Sequence, residues 1–151
     1  MSDRPSFAPY LVVSNAAAAI DFYKRAFGAV ELARHAAPGT DKIMHAHLVV
    51  NGGHVMLSDD FSSLHGGRSE TPESLGGSPV TFNLQVGDAN TAWDKAVAEG
   101  ATVTMPLADQ FWGDRHGQLQ DPFGHKWSIC QFIRTPSQEE IEGAAKEVFA
   151  S

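Results

Sequence analysis

The feature that most constrains this chain is that its pattern occurs twice. Val13 falls over Val86, Ile20 over Trp93 and Gly28 over Gly100, at an offset of about 72 positions. In the first half an apolar run, Phe7 to Val13, leads into Ser14-Asn15, short polar side chains suited to cap a helix N-terminus. Ala16, Ile20, Tyr23 and Phe27 then share one helical face, and Gly28 is placed to end the helix in the left-handed conformation. Strands are expected over Val30 to Ala36, Ile43 to Val50 and His54 to Ser58, with Asn51-Gly52-Gly53 as the turn between the last two.

The second half repeats the order. Val80 to Val86 alternates apolar and polar, Asp88 caps a helix with Ala89, Trp93, Ala96 and Val97 on one stripe, and Gly100 ends it. Thr102 to Leu107 follows as a strand. A hairpin then joins Arg115 to Gln120 with Lys126 to Ile133 through Asp121-Pro122-Phe123-Gly124, where Asp, Pro and Gly each suit their place in a β-turn. The expected fold is α+β: paired βαβββ modules in residues 1–133, at about 7–59 and 80–133. Residues 60–79, rich in Ser, Gly and Glu, read as an exposed linker. Residues 134–151 read as a C-terminal helix opened by a Ser137–Glu140 capping box, with Ile141, Ala145 and Val148 on its apolar face.

Composition narrows the function classes. A formal net charge of −7, with scattered Lys and Arg, gives no basic face for nucleic acid or an anionic membrane. No apolar stretch reaches the length of a membrane span, and the start lacks a signal-peptide run, so a cytoplasmic location is expected. The single cysteine, Cys130, offers neither an intrachain disulfide nor a zinc knuckle.

Strand alternation sorts the chemistry-bearing residues. If Val80, Phe82, Leu84 and Val86 face a helix, Thr81, Asn83 and Gln85 face the other way. The same parity groups with them Tyr10 and Val12, His45 and His47, Met56 and Ser58, and Lys126, Ser128 and Cys130; His116, Gln118 and Gln120 join if Leu119 faces the helix. Such a surface is polar enough to need water or a ligand to satisfy it. Within it, His45 and His47 could chelate a metal with His116 or Asp59, or His45 could hydrogen-bond a neighbouring strand or loop while His47 is exposed. Asp114 and His116 could form an acid–base pair, or Asp114 and Arg115 could pin their loop to Asp121 or to the other module. Trp112, in a Gly-containing loop, could stack on a planar ligand. Nothing near Cys130 lowers its pKa toward that of a nucleophile.

Pro9-Tyr10-Leu11, Ala19-Ile20-Asp21-Phe22-Tyr23, His45-Ala46, Gly52-Gly53, Trp112 to Gly117 and Asp121 to Trp127 together resemble the vicinal oxygen chelate superfamily, which includes glyoxalase I, extradiol dioxygenases, and fosfomycin and bleomycin resistance proteins. More narrowly they resemble its PhnB-like branch. The resemblance implies sheets curved around a cup, often completed across a homodimer, with four metal ligands in the metal-dependent members. The corresponding positions here are Ala8, Met56 (or Leu57 or Ser58), Thr81 and Ser128, which lack imidazole, carboxylate and thiolate donors.

Two functions follow as expectations. The first is metal-independent binding of a small molecule in the polar cup through Tyr10, His47, Ser58, Thr81, Asn83, Gln85, Trp112, Gln118 and Ser128, with Asp114 and His116 as the candidate acid–base pair. The alternative is a lyase, isomerase or dioxygenase carrying zinc, iron, nickel or manganese on His45, His47 and His116. Methyl transfer is disfavoured, since no Gly-rich loop follows a strand to hold a nucleotide-like methyl donor.

Overall fold

The computed structural model describes residues 4–64 and 66–150. The chain folds as β1 (Tyr10–Val13), α1 (Ala16–Phe27), β2 (Val30–Ala36), β3 (Ile43–Val50) and β4 (Gly53–Asp59), then β5 (Thr81–Gln85), α3 (Ala89–Ala98), β6 (Thr102–Asp109), β7 (Asp114–Gln120) and β8 (Lys126–Phe132). Between these halves lie a 3-10 turn at Ser62–Leu64 and the short helix α2 (Pro72–Leu75), and α4 (Gln138–Phe149) follows them. Two four-stranded mixed sheets result, in the orders β1-β4-β3-β2 and β5-β8-β7-β6, with β1 parallel to β4 and β5 parallel to β8. This is the α+β architecture of paired βαβββ modules with a C-terminal helix.

The duplication extends to hydrogen bonds. In the first module the Asp59 carboxylate, at the end of β4, accepts the Ala16 N–H at 2.8 Å and so satisfies a first-turn donor of α1. In the second, Gln131 near the end of β8 accepts the Ala89 N–H of α3 at 2.9 Å. Asn15 and Asp88 cap the same helices from their N-cap positions. The Asn51-Gly52 turn has φ of +49° and +81°, the pair of positive values that matches a tight hairpin to the twist of its strands.

One hydrophobic core runs through both modules, because α1 and α3 pack on each other. Tyr23 and Phe22 from α1 reach across to Phe123 and Trp127 of the second module, with ring centroids between 5.3 and 6.5 Å. At the centre of this junction is Asp121, which is 3% exposed. One of its oxygens accepts the Tyr23 hydroxyl at 2.6 Å and the Trp127 indole N–H at 2.9 Å; the other accepts the N–H groups of Phe123 and His125. Burial, reinforced by the Asp121 carboxylate, pushes the Tyr23 phenol well above its ordinary value, so it stays a donor.

Several expectations are modified. The stretch expected as an exposed linker is anchored at one point: Thr71 caps α2, Thr71 and Pro72 are buried, and Pro72 lies against Gly124. Val80 and Val97 are exposed; β5 begins one residue later, and the buried stripe of α3 narrows to Ala89 and Ala96. The α4 capping box forms as expected, but no residue of that helix is buried. Among the described residues, no helix is long and apolar enough to cross a membrane.

Removing the Tyr23 donor in Tyr23→Phe is expected to cost about 1.5–3 kcal/mol. Asp121→Asn, which puts a donor where two N–H or O–H groups converge, is expected to cost at least as much. Urea denaturation of both variants measures these losses; a change near zero in either would remove Asp121 from the centre of the junction.

Candidate functional site

With both helices packed on one side of the sheets, each sheet keeps a free face. On the first sheet, Tyr10, Met56 and His47 lie across one row, with Val12 and Ser58 in the next. The Tyr10 hydroxyl is 3.0 Å from His45 Nδ1 and the two rings lie 5.7 Å apart. His35 stacks on the far side of His45, 14° from parallel. His47 is not exposed, as one reading of the strand allowed, but buried, with Nε2 2.8 Å from His54 Nδ1. One module therefore gathers four imidazoles in two pairs. The sequence reading found His45 and His47 but passed over His54 and His35; the alternation that placed Met56 and Ser58 would have placed His54 as well.

Against this face lies a cavity of about 410 Å³, lined by Tyr10, Val12, Met44 and Ser58 from the sheet and by Asp60, Phe61, Ser62, Arg68 and Glu70 from the connection between modules. Partial burial raises the Tyr10 pKa above its ordinary value, only partly offset by the Ser58 hydroxyl, so the phenol remains protonated at neutral pH. Hydrogen bonding from Ser69, and secondarily Ser62, lowers the Asp60 carboxyl pKa, which keeps it anionic. The cavity thus presents an aromatic ring and hydroxyls beside charges of both signs.

The second sheet carries the remaining expected residues. Asn83 Oδ1 accepts the Ser128 hydroxyl at 2.6 Å and the Cys130 thiol at 2.8 Å. Gln118 lies opposite Ser128, His116 opposite Cys130 and Asp114 opposite Phe132. Thr81 and Gln85 flank Asn83 on β5. Trp112 sets its ring edgewise to His116, 5.6 Å between centroids. Asp114 and His116 share this face, yet no hydrogen bond joins them, and His116 Nδ1 is enclosed without a partner among the described residues. Tyr10, His45 and Ser58 bond within the first module, and Asn83, Ser128 and Cys130 within the second, so the chain brings the expected residues together as two surfaces.

The loop motif before β7 serves geometry. A side chain at Gly113 would collide with the Arg134 carbonyl, and one at Gly117 would meet the Trp93 ring at 2.5 Å. Arg115 does not reach Asp121 or the other module: it pairs with Asp109 on β6 at 2.7 Å and touches Asn90 on α3.

The donor set does not fit the usual metal site. At its four positions stand Ala8, Met56, Thr81 and Ser128, an alkyl group, a thioether and two hydroxyls, and Ser128 already donates to Asn83. Nor are the alternative ligands gathered, since His45 and His47 belong to the first sheet and His116 to the second. Among the described residues no three His, Cys, Asp or Glu side chains are placed to share an ion. Asp59, a further candidate, spends both oxygens on the N–H groups of Ala16 and Ile43.

Residues 6–129 match the sequence profile of the Glyoxalase/Bleomycin resistance protein/Dioxygenase superfamily. The chain belongs to this superfamily. An uncharacterised protein of Mycobacterium bovis is 52% identical over 141 residues, spanning 93% of this chain and 91% of that one. The crystal structure of TioX from Micromonospora is similar at a TM-score of 0.65 and 29% identity, over 86% of this chain and all of TioX. A gene product of Arabidopsis thaliana, also solved, is 32% identical with a TM-score of 0.65, over 83% of this chain and 98% of that one.

Burial pushes the Cys130 thiol pKa upward, with the Asp114 charge adding to it and the Ser128 hydroxyl opposing. Iodoacetamide should therefore label the folded protein at least about tenfold more slowly than free cysteine at pH 7.5, accelerating only as the medium becomes strongly alkaline. Rapid labelling at pH 7, read by mass spectrometry, would reveal a thiolate and overturn this assignment.

Proposed function

We propose that this superfamily member is a small-molecule binding protein of the PhnB-like branch that works without the usual four-ligand metal site. The observation that carries the reading is the cavity of about 410 Å³ over Tyr10 and Ser58, walled by Asp60, Phe61, Arg68 and Glu70. Apolar surface from Val12, Met44 and Phe61 beside several convergent polar groups suits recognition of a small polar organic ligand. Phe61 supplies a ring for stacking and Tyr10 a protonated hydroxyl, while Arg68 and Glu70 offer one charge of each sign. On the second sheet, Trp112, His116 and the Asn83–Ser128 pair form a further polar surface.

We further propose that the working unit is a homodimer whose partner covers the second surface. Phe7, Phe132 and Phe149 are 89%, 62% and 82% exposed, a cost that burial against a second copy removes. Sedimentation equilibrium should give twice the chain mass, and a monomer at micromolar concentration would refute the pairing.

A thermal-shift screen of aromatic and glycopeptide ligands tests the binding reading, with and without added zinc, iron, nickel or manganese. A hit should stabilise the protein without metal, weaken about tenfold in Tyr10→Ala, and vanish in Ser58→Trp, which fills the cavity. Stabilisation that requires metal and disappears in a His45→Ala, His47→Ala double variant would instead favour the glyoxalase- or dioxygenase-type enzyme.

A further inference from the structure

The two modules are related by an approximate repeat, but their junctions are not filled alike. Where α1 meets the β7–β8 turn, Phe22 and Phe123 close the space, 2% and 8% exposed with ring centroids 6.4 Å apart. At the related junction α3 meets the Asn51-Gly52 turn. Asn51 Nδ2 donates to the Gln85 carbonyl there at 2.6 Å, as His125 Nε2 meets the Val12 carbonyl at 3.2 Å on the other side. Lys95 stands where Phe22 stands in α1, and the shorter Asn51-Gly52 turn, whose Asn51 lines the space, carries no aromatic ring to match Phe123. The unfilled space is a groove of about 290 Å³ with Phe27, Leu84, Val86, Ala92 and Ile129 on its walls.

This groove has an apolar floor and one uncommitted cation. Leu84 and Ile129 are 9% and 0% exposed, and the Lys95 ammonium makes no ion pair or hydrogen bond among the described residues. The other charge at the rim, Asp88, is engaged in capping α3 through Thr91. A dry cavity of about 150 Å³ accepts a benzene ring, so this groove has room for a ring and a short chain. From this geometry we infer a second ligand site, distinct from the cavity over Tyr10, that takes a small arylalkyl carboxylate. The ring lies in the space that Phe22 and Phe123 fill at the related junction, and the carboxylate meets Lys95.

The test uses the full-length protein with 3-phenylpropionate and its neutral analogue 3-phenylpropan-1-ol, followed by methyl NMR shifts of Leu84, Val86 and Ile129. The acid should shift these methyls saturably, and the alcohol should bind about tenfold more weakly. Lys95→Met should weaken the acid by the same factor and leave the alcohol unchanged. Lys95→Phe, which restores the ring of the related junction, should abolish both and raise Tm. Tyr10→Ala should leave the shifts intact, which separates this site from the one under Proposed function. Absence of saturable shifts in the native protein up to the solubility of the acid would overturn the inference. So would shifts that survive in Lys95→Phe, or equal affinity for acid and alcohol.

Discussion

A buried carboxylate holds this molecule together. Asp121 takes four hydrogen bonds from a tyrosine, an indole and two backbone amides, and the tyrosine belongs to the other module. A charge in a dry interior is costly unless every lone pair is used, and here four donors converge on two oxygens. The contact also fixes geometry. It ties the turn between β7 and β8 to α1 and so adds a directional link to the α1–α3 packing that sets the sheets, and with them the two free faces, relative to each other. The aromatic rings of Phe22, Tyr23, Phe27, Phe123 and Trp127 then close around it.

The free faces inherit their polarity from the helix packing. Both helices cover one side of the sheets, and the opposite side is left to hydroxyls, amides and imidazoles. What turns one of these faces into a cavity is the connection between modules, which folds back through Phe61, Arg68 and Glu70 instead of running past. The shape of the site thus comes from the least regular part of the chain. Its chemistry is shared: the strands supply Tyr10 and Ser58, and the connection supplies the Phe61 ring and the charges of Asp60, Arg68 and Glu70.

That division explains what was legible in the sequence. Helices, caps, turns and the two module patterns follow from local periodicity, and Asn15, Gly28, Asp88 and the Ser137–Glu140 box all behave as their chemistry dictates. Alternation likewise grouped Tyr10, His47 and Ser58 with Asn83, Gln118 and Ser128 as residues turned away from the helices, into one polar cup. It could not say that these residues belong to separate surfaces in the chain, because that depends on α1 packing against α3, a contact between residues far apart in sequence. Residues 60–79 carry no period, so the burial of Thr71 and Pro72 and the cavity wall they help to position left no signal. Arg115 was read toward a distant partner, whereas Asp109, across the β6–β7 pairing, was the nearer carboxylate.

The approach of Gly117 to Trp93 has a consequence for substitution. Ala46 holds the position on β3 that Gly117 holds on β7, each opposite an aliphatic residue of the next strand, Leu57 or Ile129. Ile20 holds the helix position of Trp93. The smaller strand residue accompanies the larger helix residue, and the larger accompanies the smaller. Adding a methyl at Gly117 drives it into the indole and against the Leu107 backbone, and trimming the indole leaves a hollow above a residue with no side chain to fill it. Neither position tolerates change alone. Volume at the strand position and volume at the helix position are therefore coupled in this chain, so a gain at one calls for a loss at the other.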